Sequence, residues 1–297
     1  MGLLDAIRGL FSGAKHERLG VAELARRLGR SEAELRAVRV GYRKFQIPKR
    51  SGGQRTIYEP TEGLKRVQRL LLRKLLMRLS AHACAHGFER GRSTVTGARP
   101  HERKAVVVRM DLRDFFGATK AARVHDYFAR AGWDSDAAQL LTRLCTHEGS
   151  LPQGAPTSPR LSNLVNFKLD ARLNALARKF GADYTRYADD MAFSFASGDH
   201  EQLAPFIRTA KKILREEGYE LHTRKKLQIR RRHHRQTVTG LVVNERVGLP
   251  RATRRWLRAV EHHASQGRET TLTPAQLEGW RALRKMVERP AAGDAKH

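Results

Sequence analysis

Tyr184-Thr185-Arg186-Tyr187-Ala188-Asp189-Asp190-Met191-Ala192-Phe193-Ser194-Phe195 reads as two short strands meeting at Ala188-Asp189-Asp190. The segments on either side are largely apolar, as strands buried in a sheet are. Two free carboxylates in such a setting are costly without a cation, which sets the pair apart from the Asp-Asp of a solvated turn. Upstream, Ala105 to Leu112 is a Val-rich run ending in Asp111-Leu112-Arg113-Asp114-Phe115-Phe116. It predicts a second buried strand whose carboxylate falls at the strand end. Asp111, Asp189 and Asp190 are then the acid set that two-metal phosphoryl transfer requires, with hard oxygen ligands around magnesium ions about 3.5–4 Å apart.

Outward from these strands the pattern is mixed. Leu3, Leu4, Ile7, Leu10 and Phe11 have helical spacing, so Met1 to Phe11 predicts a short amphipathic helix. Residues 17–40 predict two more small helices, with Ser31 as N-cap and Glu34 as its capping-box partner. Ile47 to Pro60 looks like two strands around Gly52-Gly53, with cationic side chains near the bend. A long helix is expected from about Leu64 to Leu79, further helical patterns over residues 161–180 and Ala204–Glu217, and a strand at Val238–Asn244. A basic helical tail starts near Thr253, and Pro290–His297 reads as a loose end. His82 and His86 have i, i+4 spacing but no third ligand in view, so they are read as structural rather than zinc-binding.

The chain has 297 residues, 40% of them hydrophobic, which suffices for one large domain or two packed subdomains. Lys+Arg 58 against Asp+Glu 30 leaves a formal charge of +28, and so strong a field makes nucleic acid the leading class of partner. Cys84 and Cys145 are too few for a disulfide framework and read as packing residues, which favours a reducing cytoplasm. No apolar run approaches the roughly 20 residues needed to span a bilayer, so no membrane association is expected.

Three motifs in order carry a resemblance to a known family. Tyr187-Ala188-Asp189-Asp190 matches the catalytic tetrad of reverse transcriptases, and Val108-Arg109-Met110-Asp111-Leu112-Arg113-Asp114-Phe115-Phe116 resembles their first acidic motif. Leu151-Pro152-Gln153-Gly154-Ala155-Pro156-Thr157-Ser158-Pro159, followed by Leu161-Ser162-Asn163, is similar to the form this region takes in bacterial retrons. The resemblance runs from about residue 20 to about residue 285, and an ordered set of motifs is far more specific than any one of them.

The resemblance implies an α+β right-hand polymerase. Fingers would occupy residues 1–104, a palm with an antiparallel sheet flanked by helices residues 105–244, and a short helical thumb and tail residues 245–297. Asp111, Asp189 and Asp190 would hold two Mg2+ ions, with Mn2+ as a substitute. Lys49 and Arg55 would grip the incoming triphosphate, where an ammonium and a forked guanidinium suit phosphate oxygens. Gln153 and Gly154 would line the nucleotide pocket, and Phe116 would block a ribose 2′-hydroxyl. Lys225 stands where the family has a lysine proposed to protonate pyrophosphate, with Lys226 an equally basic neighbour.

Val238-Thr239-Gly240 resembles a retron signature of the primer-grip and thumb region, which places Thr239 and Gly240 near nucleic acid. Gly97-Ala98-Arg99-Pro100-His101 matches a second retron mark at Ala98 and His101 but has Gly97 in place of the usual Asn. Arg254, Arg255 and Arg258 suit a thumb helix lying along an RNA or RNA–DNA duplex. By the same resemblance the template and primer are a structured non-coding RNA, the substrates deoxynucleoside triphosphates, and the product multicopy single-stranded DNA joined to RNA. A separate effector protein and a role in antiphage defence belong to the same picture. Group II intron enzymes carry a longer thumb region, abortive-infection enzymes share the aspartates, and a non-catalytic RNA-binding scaffold would retain the fold without incorporating deoxynucleotides.

Overall fold

The computed structural model describes residues 18–48, 52–198, 200–222 and 227–289. Helices α1 (Val21–Leu28) and α2 (Glu32–Ala37) precede a hairpin of β1 (Tyr42–Pro48) and β2 (Gln54–Pro60). Helix α3 (Glu62–Lys74), the short α4 (Thr94–Ala98) and strand β3 (Val106–Asp111) follow. Then come α5 (Phe115–Ala118), α6 (Ala121–Arg130), α7 (Ser135–Cys145), α8 (Ser158–Val165) and α9 (Phe167–Lys179). Strands β4 (Ala182–Tyr187) and β5 (Asp190–Phe195) lead through α10 (His200–Glu216) to β6 (Gln228–Arg231). The short β7 (Thr237–Val238) and β8 (Leu241–Val242) precede the closing helices α11 (Arg251–Ser265) and α12 (Pro274–Glu288). Among the described residues no helix is long and apolar enough to cross a membrane.

The described residues fall into two compact units, each discontinuous in sequence. The first takes residues up to 83 together with 113–171 and 215–219. In α1 the residues Val21, Leu24, Ala25 and Leu28 recur at helical spacing and are buried, and Gly29 ends the helix in the left-handed region at φ 68°. The capping box expected of α2 is present. The Glu34 amide donates to Ser31 Oγ at 3.1 Å and the Ser31 amide to Glu34 Oε2 at 2.7 Å. These helices pack on α3, α6, α7 and α8 through a core that includes Leu24, Leu64, Leu71, Phe128, Trp133 and Leu141.

Two helices here are shorter than the sequence pattern predicts. The run expected over Leu64–Leu79 leaves the α-helix at Leu75 (φ −118°, ψ −64°) and finishes as a 3-10 turn over Leu76–Arg78. The buried Arg160 guanidinium donates to the carbonyls of Leu76 and Leu79, replacing the helical hydrogen bonds these would otherwise need. The pattern over 161–180 divides into α8 and α9 at Asn166 (φ −88°, ψ 12°), whose side chain donates to Ser162 O and Tyr219 Oη, both at 2.8 Å. Helices α6 and α7 fill a stretch that the pattern reading leaves unassigned.

The second unit takes residues 84–112, 172–214 and the described residues from 220 onward. Its centre is a four-stranded sheet in the order β4-β5-β3-β6, antiparallel throughout. Tyr184 stacks on Phe193 across the sheet at 4.6 Å, and Phe206 of α10 meets Phe193 and Phe195 edge-on at 5.0 and 5.1 Å. The strand expected over Val238–Asn244 is instead a tight hairpin of β7 and β8. Thr239 (φ 50°) and Gly240 (φ 84°) form its two-residue turn, and two consecutive left-handed residues cannot continue a strand. Leu257 and Val260 of α11 pack with Leu277 of α12.

Cys84 and Cys145 are both buried and neither is in a disulfide, as expected of packing residues, and burial pushes the Cys145 thiol up to about 12. His82 and His86 do not share a helix, because the chain there is irregular and Ala85 forms a parallel bridge with Arg186. The helix expected at Met1–Phe11 and the tail Pro290–His297 lie outside the described residues.

Candidate active site

The β-ladder brings the acidic residues together in the second unit. Asp111, the last residue of β3, is the cross-strand partner of Asp190, the first residue of β5. Directly paired residues project to the same face of a sheet, so these two carboxylates belong to one site. Tyr187 pairs with Asp190 in the β4–β5 hairpin, which leaves Ala188 and Asp189 as a two-residue turn. The Leu112 amide donates to Asp189 O at 3.0 Å, and the His222 amide to Asp111 O at 2.9 Å. Both strand ends are thereby tied to neighbouring chain.

The turn itself is held in an uncommon conformation. Ala188 has φ 56° where a hairpin usually places glycine, and such a residue persists only when its surroundings fix it. The buried Arg186 side chain donates from Nη1 to Ala188 O at 3.1 Å. From the other side, residues 84–87 run against β4, with the Arg186 amide donating to Cys84 O and the His86 amide to Arg186 O, both at 2.8 Å. A Cβ at Gly87 would stand 2.9 Å from Ala188 N, so only glycine lets the chain approach this closely.

Arg109 is a site residue that the motif reading leaves without a role. It lies two residues before Asp111, hence on the same face of β3, and its guanidinium engages Asp190 with Nε to Oδ1 at 3.3 Å and Nη2 to Oδ2 at 2.6 Å. The sequence signal was a lone cation at period two from a catalytic-type carboxylate within an apolar run. Among the described residues no three His, Cys, Asp or Glu side chains form a ready metal cage. The donor set nevertheless suits a hard cation in kind. It is made entirely of carboxylate oxygen, sits at one strand end, and has one member currently engaged by a guanidinium.

His101 corrects a sequence expectation. It is fully buried, with Nδ1 at 2.7 Å from Ser194 Oγ and Nε2 at 2.7 Å from Thr185 Oγ1, so it pins the 3-10 turn after α4 to the sheet and has no surface to offer nucleic acid. Burial drives its pKa down to about 3, which keeps the ring neutral. Gly97, in the same segment, has a counterpart in His86. A Cβ at Gly97 would come 3.2 Å from His86 Cβ, so the imidazole occupies the space a longer side chain would need. Thr239 is partly buried with its hydroxyl donating to Thr94 O at 3.1 Å, whereas Gly240 is exposed at the hairpin tip. Arg254, Arg255 and Arg258 are exposed on α11, opposite the buried Leu257 and Val260, and none takes part in an ion pair among the described residues.

The first unit holds the remaining expected nucleotide contacts. Arg55 is exposed on β2, paired across the hairpin with Ile47, and has no ion-pair partner among the described residues. The Tyr58 amide donates to Gln153 O at 2.8 Å, locking the Pro-Gln-Gly segment to β2. Gly154 (φ 125°) is required there, since a Cβ would stand 2.7 Å from Tyr58 O. Phe116 is half-buried, 5.4 Å from the Phe115 ring and packed on the unit's core. Lys49, Lys225 and Lys226 lie outside the described residues.

Residues 47–243 match the family model described as reverse transcriptase (RNA-dependent DNA polymerase). The chain is 39% identical over 265 residues to the retron Mx65 reverse transcriptase of Myxococcus xanthus, covering 83% of this chain and 61% of that protein. It is 35% identical to the retron Mx162 reverse transcriptase of the same organism, covering 92% of this chain and 64% of the relative. Against the retron Ec86 reverse transcriptase of Escherichia coli identity is 35% over 242 residues, covering 80% and 74%. The chain thus spans somewhat under two thirds of the length of the two Myxococcus relatives. A paired-aspartate strand end, a braced Asp-Asp turn and these matches together make the chain a member of the reverse transcriptase family, of the retron type.

Proposed function

We propose that the protein is an RNA-directed DNA polymerase that copies a structured non-coding RNA into single-stranded DNA. The observation that carries the proposal is the register of β3 and β5, which sets Asp111 beside Asp190 with Asp189 in the adjoining turn. On this reading the four-stranded sheet belongs to the palm, β1 and β2 belong to the fingers, and α11 and α12 form the thumb. Asp111, Asp189 and Asp190 would hold magnesium, or manganese in its place, and the ions would supply charge neutralisation for the attacking 3′-hydroxyl and the departing pyrophosphate. The protein's own part is positional. The braced turn fixes the carboxylates, Arg55 and Lys49 supply donors for the triphosphate, and Gln153, Gly154 and Phe116 shape the nucleotide pocket. Lys225, or its neighbour Lys226, stands as the donor of a proton to pyrophosphate.

Likeness to retron enzymes supports a product of multicopy DNA linked to RNA, made in the cytoplasm, with a separate effector protein and a part in antiphage defence. The decisive experiment is magnesium-dependent deoxynucleotide incorporation on an RNA template. Asp189→Asn keeps the side chain's shape and removes a ligand charge, so incorporation should vanish while the melting temperature and RNA affinity stay at wild-type values. Extension at the wild-type rate by that variant would end the two-metal assignment.

A further inference from the structure

Away from the aspartates, the first unit carries a cationic cavity to which neither the motifs nor the family match gives a role. Helix α3 buries Leu64, Val67, Gln68 and Leu71 and turns Arg66, Arg69 and Arg73 outward at spacings of three and four residues, so the three share one stripe. With Arg30, just beyond α1, and the half-buried Leu70 and Leu72, they line a cavity of about 510 Å³. Lys74, beside the stripe, donates to Leu28 O at 2.9 Å and holds the end of α1 against α3.

The charges around this cavity are unbalanced. Several other arginines of the unit do have acidic partners: Arg26 and Arg27 share Glu23, Arg36 has Asp136, and Arg43 has Glu59. The one acid in the first turn of α3, Glu62, is taken by Lys65 at 3.3 Å. Arg66, Arg69 and Arg73 have no ion-pair partner among the described residues, and Arg30 has only a 3.5 Å contact with Glu34. Like charges at these helical spacings repel, which costs stability unless an anion joins them.

The dimensions favour a strand over a single small anion. Seven residues of helix separate Arg66 from Arg73 by about 10 Å, farther apart than one phosphate group can bridge but within reach of successive phosphates of one strand. Guanidinium forks bind phosphate oxygens in pairs, and a leucine floor between them accepts the apolar face of a sugar. We infer that Arg30, Arg66, Arg69 and Arg73 form a binding groove for the sugar–phosphate backbone of RNA, distinct from the aspartate site and independent of base sequence. The inference builds on the reading of the protein as an RNA-copying polymerase, since that reading supplies the RNA.

The test is fluorescence anisotropy with a labelled RNA hairpin over a range of salt concentrations. It compares the wild-type protein, R66Q/R69Q/R73Q, the charge-preserving R66K/R69K/R73K, and R26Q/R27Q/R36Q, which removes as much charge from paired positions. The groove predicts at least a tenfold loss for the α3 glutamine variant, several times the loss in the paired-site variant. It also predicts a salt slope shallower by about 2–3, from ~0.7–0.9 per phosphate contact. The lysine variant should keep the slope. Should the triple glutamine variant fail to fold by its melting curve, R66Q/R73Q gives the same comparison with a proportionately smaller change. Equal losses in the two glutamine variants would reduce the groove to general surface charge. Loss of ATP binding with RNA affinity intact would reassign it to a small polyphosphate. Either result overturns the inference. Deoxynucleotide incorporation by the wild-type protein on the same RNA tests the polymerase reading separately.

Discussion

Arg109 and Asp190 share a two-point contact on side chains that are only 24% and 21% exposed, and any divalent ion approaching Asp190 must compete with that guanidinium. Partial solvent access limits what the pair contributes, but a fixed positive charge beside a cation site raises the cost of a second one. Arg109→Gln should therefore lower the magnesium concentration needed for half-maximal incorporation by at least threefold, and should increase the rise in melting temperature that magnesium produces. A higher magnesium requirement would show instead that Arg109 orients Asp190 for its task. Phe116 poses a different question, because its ring is half-buried against the first unit's core and half available. Phe116→Ala should cost about 2 kcal/mol of stability, below the ~3–5 kcal/mol of a fully buried phenylalanine, while raising ribonucleotide incorporation tenfold or more relative to deoxynucleotide. If both rates fell together with their ratio unchanged, the ring would be a packing residue alone. The three aspartates were legible because apolar, strand-like runs break off at them. Arg109 was visible in the same strand but had no partner to point to until the register of β3 and β5 was known.

Among the elements, the β4–β5 turn shows what a local pattern cannot convey. Its strands and its acids are plain in the sequence, yet its conformation depends on residues 84–87, a hundred positions upstream, lying against it. Nothing near Gly87 announces that its missing Cβ makes room for Ala188 N at 2.9 Å. Gly87→Ala must displace backbone rather than a flexible side chain, so it should cut the incorporation rate at least tenfold with little change in RNA affinity. Wild-type rates from a folded Gly87→Ala protein would mean that the turn needs no such brace. Long-range contacts also explain the misread helices. Helix α3 stops early because Arg160, from α8, satisfies the carbonyls that follow it, and β7 and β8 part at Thr239-Gly240 because both residues are left-handed. The Ser31–Glu34 capping box, by contrast, involves three consecutive peptide units of one chain segment and was readable directly.

At the scale of the whole molecule, charge and protonation set the conditions under which the fold survives. A formal charge of +28 opposes compaction, and acid adds to it as carboxylates such as Glu23 and Glu59, held low by the arginines and lysine beside them, finally protonate. Histidines act earlier on the pH scale. His101 is fully buried between Ser194 and Thr185, and burial lowers its pKa from 6.5 to about 3; His86, half-buried, is lowered to about 4 by the same cause with Arg92 adding to it. A depressed folded-state value means that the unfolded chain binds the proton first. The stability these neutral rings contribute is present above pH 6.5 and drains away as pH falls toward 3 or 4. In that window each fully titrating histidine contributes a slope of about 1.4 kcal/mol per pH unit, somewhat less for His86 because of its exposure. His101→Gln retains a donor and an acceptor for the two hydroxyls without a titrating group. Its unfolding free energy, measured in urea at several values between pH 6.5 and 4, should fall less steeply than that of the wild-type protein by about that amount. Raising the salt concentration separates this local effect from global repulsion, since screening weakens forces among exposed charges but leaves the desolvation of a buried ring unchanged. Parallel pH curves for the two proteins at high salt would show that His101 is protonated in the folded state, and would return it to the residues able to meet an anion.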